Sequence, residues 1–217
     1  REKSNLVHAK NQQKISHKYE IEKKIINYNS KILLNAEIYN QGFRTEKKLT
    51  EGSNFITGSY YRFFPIFGIS SETPFKFKKL NSNLTLNPKL HFVLAPGISN
   101  SNKLSNEDST NNDFALENMY RLNRYSGNDK LDNSKRITYS INAYTDNFKS
   151  SLSQSYEFTN NSNFHKEQGN DDNLSDLLGS IKYLNDNELS YDFRYDLNDQ
   201  YLKKQNIDIK SKTKLGE

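Results

Sequence analysis

The feature that most constrains the fold of this chain is a hydrophobic period of two residues. Between positions 189 and 197 every second residue is apolar: Leu189, Tyr191, Phe193, Tyr195 and Leu197. The residues between them are polar or charged: Ser190, Asp192, Arg194 and Asp196. A period of two predicts a β-strand with one apolar face and one charged face.

The same alternation recurs along the chain and predicts about ten or eleven strands. The clearest other segments are Ile15–Ile25, Ile32–Ile38, Leu84–Leu94 and Ile137–Ala143; weaker ones are Phe55–Phe63, Phe114–Leu122, Leu152–Phe158, Leu177–Tyr183 and Ile207–Leu215. Short Asn- and Asp-rich turns connect some of them, which suits hairpins. No helical stripe and no strand–helix–strand rhythm is present, so we predict an all-β antiparallel meander.

Composition separates the two all-β classes that remain, a soluble sandwich and a membrane barrel. Hydrophobic residues make up 33% of the 217 residues, yet aromatic residues reach 12%. A two-sheet soluble core would need a larger apolar share, whereas a barrel needs only one apolar face per strand. The composition therefore favours part of a large outer-membrane β-barrel.

The charged and potentially catalytic residues give little indication of nucleic-acid binding, catalysis or metal binding. The net charge of +5 is scattered rather than concentrated, so we do not expect nucleic acid as a partner. Glu107 and Asp108 are adjacent and would point to opposite faces of an extended chain. The chain has no cysteine and four well-separated histidines. We therefore expect no enzyme activity, no cofactor and no metal site.

Four short motifs occur in order along the second half of the chain. The first combines Asn106-Glu107-Asp108-Ser109 with a later stretch that includes Arg124, Gly127, Asp129, Arg136 and Tyr139. The others are Ser153-Gln154-Ser155-Tyr156, then Asp176 with Gly179, then Phe193-Arg194-Tyr195-Asp196. Together these motifs resemble the LptD family of outer-membrane lipopolysaccharide-assembly proteins, over roughly Phe64 to Lys210. Lys130 and several serines depart from the family pattern, which has Arg and Gly there, and the family's cysteine pairs are missing.

The resemblance implies that residues 1–217 form part of the barrel wall of the LptD C-terminal domain, without a complete second domain. It implies a location in the cell outer membrane and insertion of lipopolysaccharide into the outer leaflet. The implied partners are lipopolysaccharide, outer-membrane lipid, an LptE-like plug lipoprotein and a periplasmic bridge protein that binds an upstream domain. Another outer-membrane barrel, such as a porin or receptor, and a soluble carbohydrate-binding adhesin remain as alternatives.

The roles of the motif residues stay open at this point, because each is compatible with a structural or a lumenal position. Asp192, Arg194 and Asp196 could contact the plug or the cargo, or could form an ion-pair ladder along the lumen. Asn106–Ser109 could dock inside the lumen or form a turn capped by its own side chains. Lys103, Lys130 and Lys166 could meet lipid phosphates or simply be solvated.

The lengths of the connections predict the sides of the membrane. Short turns of such barrels lie on the periplasmic side and long loops outside. We therefore place Asp146–Asn147 and Asn185–Asn187 in the periplasm, and Asn123–Ser134 and Asn160–Ser175 outside. If Phe114–Leu122 crosses the membrane, Ala95–Asn112 would be an unusually long periplasmic segment. Either it folds inward or Phe114–Leu122 is not a crossing.

Overall fold

The computed structural model describes residues 11–49, 54–79, 82–98, 100, 101, 103–110, 113–159, 168–170, 172–185 and 187–211. These residues form one antiparallel sheet of ten strands. The strands are β1 (Asn11–Asn27), β2 (Ser30–Leu49), β3 (Phe55–Glu72), β4 (Phe75–Lys79), β5 (Ser82–Leu94), β6 (Lys135–Tyr144), β7 (Phe148–Glu157), β8 (Leu177–Leu184), β9 (Asn187–Asp196) and β10 (Tyr201–Ser211). The predicted all-β meander is confirmed.

The sheet is open, and its order follows the sequence from β1 to β10. Strands β3 and β4 run along the same neighbour, because Phe67–Glu72 pairs with Lys89–Leu94 of β5 and Phe75–Lys79 pairs with Ser82–Leu86. The Thr73 N–H still donates to the carbonyl of Pro88 across the interruption (3.3 Å). Pro88 itself pairs with Ile141 inside the ladder.

The two faces of the sheet differ in the way that the alternation predicts. The outer face carries a band of exposed apolar side chains, which includes Phe67, Ile69, Leu90, Phe92, Ile141, Leu152, Ile181, Tyr183 and Leu189. The inner face is mostly small and polar, with Thr138, Ser140, Ser153, Ser155, Ser180 and Ser190 buried. One face is therefore suited to lipid and the other to a wet, crowded interior.

At one end of the sheet, some strands extend further than others. Strands β2 and β3 stay paired from Lys31–Glu72 out to Leu49–Phe55, but β5 stops opposite Phe67. The first three strands therefore form a tall ribbon that continues well beyond the end of β5. The inner face of this ribbon is partly apolar at Tyr39, Phe64 and Ile66.

One predicted strand is wrong. Residues 116–120 form turns, and none of residues 114–122 belongs to a strand. The described residues of the connection from β5 to β6 consequently do not cross the sheet, and this connection leaves β5 at the same end of the sheet as the β7–β8 connection leaves β7. The described residues of the predicted segment Ala95–Asn112 therefore do not lie at the opposite end of the sheet from Asn123–Ser134. Lys166 and most of the predicted loop 160–175 lie outside the described residues.

Candidate functional site: the segment folded over the inner face

The described residues between Ala95 and Ser134, here called the inner segment, fold back over the inner face of the sheet. Leu122 and Leu131 of the segment join the apolar side chains of the ribbon in one buried cluster. Phe114 and Met119 pack with Leu178 of β8 in a second cluster. Burying these side chains explains why the segment stays on the sheet although it makes no strand of its own.

Two turns of the inner segment hold each other, and we call this pair of turns the clasp: residues 106–109 and 127–130. Within the first turn, the Asn106 side chain accepts from the Ser109 N–H (3.0 Å) and donates to the Ser109 carbonyl (2.7 Å). Asn and Asp stabilise turns by such bonds to nearby backbone. Asp108 of this turn and Ser105 just before it also contact β1 on the inner side of the sheet.

The two turns exchange carboxylate bonds in a reciprocal pattern. Asp108 Oδ1 accepts the N–H groups of Asn128 (3.0 Å) and Asp129 (2.8 Å). Asp129 Oδ2 accepts the N–H groups of Glu107 (2.8 Å) and Asp108 (3.1 Å). The Ser109 hydroxyl accepts the Asp129 N–H as well (2.9 Å). Hydrogen bonds to an ionised acceptor are about twice as strong as neutral ones, so each aspartate fixes the other turn.

Gly127 is required by the close approach of the two turns. A Cβ atom at this position would lie 2.3 Å from the carbonyl oxygen and 2.5 Å from the carbonyl carbon of Asp108. Backbone atoms cannot move aside as a flexible side chain can. Any side chain at Gly127 would therefore push the turns of the clasp apart.

Cations from the tall ribbon anchor the clasp to the sheet. Lys14 of β1 donates to Asp129 Oδ1 (2.6 Å) and Asp108 Oδ2 (3.0 Å). Arg62 of β3 donates to the carbonyls of Asn128 (2.8 Å) and Asp129 (2.9 Å). These contacts join residues that lie far apart in the sequence, so they fix the segment to one place on the ribbon.

The clasp stabilises the ionised form of Asp108. Partial burial opposes ionisation, but hydrogen bonds from the Asp129 N–H, the Ser109 hydroxyl and Lys14 outweigh it, and they lower the pKa of Asp108 to about 2. The carboxylate therefore remains charged, and the clasp remains complete, over the ordinary range of pH.

A buried cluster of four charges joins the inner segment to β6 and β7. Arg124 Nε contacts Asp132 Oδ2 (2.6 Å), and Arg124 Nη2 lies 3.4 Å from Glu157 Oε2. Arg136 Nη1 contacts the same Asp132 oxygen (3.1 Å). Arg136 also donates to the carbonyl of Arg121. Two positive and two negative side chains balance, which is the condition for keeping charges away from water.

Tyr120 completes the contact with β5 and β6. Its hydroxyl donates to Ser140 Oγ (2.6 Å), and Lys89 Nζ lies 3.8 Å from the centre of its ring. A cation over an aromatic ring at this distance is attractive. The inner segment is thus tied to β1, β3, β5, β6 and β7.

A second charged group lies at the same end of the sheet, between β8 and β10. Lys203 Nζ contacts Asp196 (2.7 Å) and Asp176 (3.3 Å), and Arg194 Nε lies 3.4 Å from Asp176. Gly169, at φ +82°, passes close to Asp176: a Cβ atom there would lie 2.5 Å from Asp176 Oδ2. Arg194 and Asp196 therefore belong to an ion-pair network that includes residues outside their own strand.

The remaining motif residues lie on the outer side. The Tyr139 hydroxyl donates to the Gln154 side chain (2.7 Å), which donates in turn to the Ser175 carbonyl (2.9 Å). Tyr156 is 40% exposed. Gly179 makes room for the ring of Phe193, which would lie 2.1 Å from a Cβ atom at that position.

Sequence reasoning missed the lysines that lie at irregularities of the ladder. The register shifts between Thr45 and Lys48 and again between Leu202 and Lys204. After the first shift Lys48 points inward and donates to the Leu104 carbonyl (2.5 Å); within the second, Lys203 reaches Asp196. A bulge re-aims a side chain, and strict alternation cannot show it. Lys14, Arg62 and Glu157 were also missed, because their partners are distant in the sequence. Asp132 was missed although its partners Arg124 and Arg136 lie only eight and four residues away.

Two other kinds of site are absent from the described residues. No described helix is long and apolar enough to span a membrane. No group of three or more His, Cys, Asp or Glu side chains in the described part of the chain is arranged to hold a metal ion.

An open antiparallel sheet with an apolar outer face, a polar inner face and a segment folded inward defines a class: part of the wall of an outer-membrane β-barrel. Residues 10–216 match the sequence profile of the family described as "LptD: LPS transport system D". The chain belongs to this family. The match begins well before Phe64, so it covers more of the chain than the motifs do.

Individual relatives are distant and much longer. The chain is 28% identical over 109 residues to the LPS-assembly protein LptD of Francisella tularensis subsp. tularensis (strain FSC 198), covering 48% of this chain and 12% of that protein. It is 29% identical over 101 residues to the LPS-assembly protein LptD of Nitrosospira multiformis (strain ATCC 25196 / NCIMB 11849 / C 71), covering 45% and 11%. The aligned part is thus a small fraction of these relatives. Family and fold confirm the predicted outer-membrane location.

Proposed function

We propose that residues 1–217 form part of the barrel wall of an outer-membrane translocon that inserts lipopolysaccharide into the outer leaflet. The observation that carries the proposal is the division of the sheet into two faces within a chain of the LptD family. The outer face offers apolar side chains to lipid. The inner face offers hydroxyl groups and ion pairs to water and sugar.

In this proposal the wall lets lipopolysaccharide pass and catalyses no covalent reaction. Several charged groups of the inner side form mutual ion pairs: Arg124 with Asp132, Arg194 with Asp176, Lys203 with Asp196. Such pairs keep the interior wettable without holding a strong net charge that would trap a phosphorylated cargo. The motif residues act, in this proposal, by shaping the wall and by holding the inner segment.

The partners follow from the same proposal. Lipopolysaccharide is the cargo, and membrane lipid covers the outer face. An LptE-like plug lipoprotein would meet the inner side, and a periplasmic bridge protein would deliver the cargo to a domain upstream of this chain.

Site-specific photocrosslinking in living cells tests the proposal with a matched pair on neighbouring positions of β7. A photoreactive residue at Ser151 faces inward, and one at Leu152 faces outward. In the intact protein, position 151 should capture lipopolysaccharide during its transport and position 152 should capture membrane lipid. Depletion of the protein should also stop new lipopolysaccharide from reaching the cell surface. Normal surface delivery after depletion, with no lipopolysaccharide captured at position 151, would refute the proposal.

A further inference from the structure

The apolar band of the outer face contains one charge among its described residues, Lys23 of β1. Lys23 pairs with Leu34 of β2, which pairs with Ile69 of β3. The other outward-facing charges of the described strands lie at the ends of the band: Lys135 begins β6, and Arg44 and Glu46 lie beyond the end of β5. The Lys23 side chain is exposed and makes no ion pair with a described residue.

A charge in this position is costly if nothing binds it. On the lipid face of a barrel, a lysine costs about 2–4 kcal/mol at the middle of the bilayer and less near its surface. Lys23 lies four residues before Asn27, the last residue of β1, so it is near the end of the sheet that carries the short turns. Its ammonium group can therefore reach the polar surface of the leaflet on that side.

Beside Lys23 the outer face is hollow. Ala36 pairs with Ile21 on one side and with Phe67 on the other, so a small side chain is enclosed by large ones. The resulting groove has a volume of about 450 Å³, and Lys23 and Leu34 form part of its lining. A single cation at an apolar groove is complementary to an anionic amphiphile, with the anion on the cation and a hydrocarbon chain in the groove.

We propose that Lys23 and the groove around Ala36 bind one phospholipid of the leaflet on the turn side of the sheet. Lys23 contacts the lipid phosphate, and one acyl chain fills the groove. The site lies outside the lumen, so this lipid is a bound component of the wall and not the transported cargo. The inference rests on the proposed function only in taking the outer face to be in a membrane.

Native mass spectrometry of the intact protein, released from nanodiscs of phosphatidylglycerol, tests the site directly. Wild type should retain one phosphatidylglycerol molecule, whereas diacylglycerol, which has no phosphate, should not be retained. Lys23→Gln should weaken retention about tenfold, the effect of losing one charge-assisted contact. Ala36→Leu fills the groove and should weaken it too. Lys24→Gln is the matched control, because Lys24 is the next residue and faces inward.

Other results would overturn the inference. Equal retention of the lipid by wild type and Lys23→Gln would mean that the Lys23 ammonium group contacts only water, or a strand added at the edge of β1. Retention of diacylglycerol as well as phosphatidylglycerol would mean that the groove binds hydrocarbon alone. A cysteine at Ile141, on the same outer face, separates the two proposals. If a water-soluble maleimide labels it freely in membranes, the membrane location fails; if it is shielded while Lys23→Gln has no effect, only the lipid site fails.

Discussion

The wall strands β6–β9 and the inner segment are both parts of one sheet structure, but different interactions hold them. Each wall strand is fixed by a repeating backbone ladder, and its outward side chains make few specific contacts. The inner segment has no ladder and depends on individual side chains, such as Asp108, Asp129 and Arg124. A repeated interaction tolerates the loss of one member, whereas a set of unique contacts does not.

The largest expected effect comes from Arg124→Ala. The substitution removes one of the two arginine partners of Asp132 and leaves two carboxylates buried beside Arg136 alone, so the free energy of unfolding should fall by about 3–5 kcal/mol. Denaturant unfolding of the intact protein in detergent measures it. Arg121→Ala is the matched control, since that side chain is exposed three residues away. Similar losses for both variants would contradict the importance of the buried cluster.

Ile141→Arg tests whether the outer face of the wall accepts only apolar side chains. Ile141 is 59% exposed on the outer face, and a charge near the middle of the membrane should cost about 2–4 kcal/mol. Ile141→Val should change stability by less than about 1.5 kcal/mol, because it keeps the apolar surface. Unfolding in lipid vesicles provides the measurement. A wall that accepts arginine as readily as valine would not be facing lipid.

Gly127→Ala compares one methyl group in the two regions. In the clasp the new Cβ would collide with the Asp108 backbone, and a forced displacement of this kind costs about 1–3 kcal/mol. Gly42→Ala in β2 is the control, because no atom lies within 4 Å of the added Cβ. Limited proteolysis of the inner segment, together with unfolding, should show a loosened segment only for Gly127→Ala. Equal behaviour of the two variants would argue against a tight clasp.

These contrasts also explain how much the sequence could predict. Strand β9 (Asn187–Asp196) was predicted from the alternation between Leu189 and Leu197, because this pattern is local and depends only on which side chains face each side of the strand. Phe114–Leu122 alternates as well, but Phe114 packs with Leu178 while Leu122 packs with the ribbon, so both ends of the stretch are buried in different clusters. Asn118 gives a hint of the turn, since its side chain bonds to the Asp113 carbonyl and the Ala115 N–H.

The clasp could be predicted only in part. The motif residues Asn106–Ser109 and Asp129 were found through the family resemblance, and their turn-forming chemistry was readable. The anchors were not, because Arg62 contacts a carbonyl 67 residues away and Lys14 reaches 115 residues along the chain to Asp129. Pairings at such distances depend on the completed sheet, which places the tall ribbon beside the inner segment.

The smallest expected effect is the response of the clasp to acid. The folded-state pKa of Asp108 is lowered to about 2, so its contribution to stability is complete above the unfolded value near 4 and is lost as the pH falls toward 2. Proteolysis of the inner segment by an acid-active protease should increase between pH 4 and pH 2 in wild type. Asp108→Asn should make the segment more accessible at every pH and flatten this change. An identical pH profile in both proteins would exclude Asp108 as the titrating group.

The most direct test of the two-faced wall is cysteine labelling along β9 in the intact protein in membranes. Single cysteines at Tyr191, Asp192 and Phe193 are treated with a membrane-impermeant maleimide, and labelling is compared with that of the denatured protein. Position 192 should react and positions 191 and 193 should be protected, because lipid covers one face and water reaches the other. Labelling at 191 and 193 with protection at 192 would reverse the faces, and equal labelling at all three would show that the sheet is not a membrane wall.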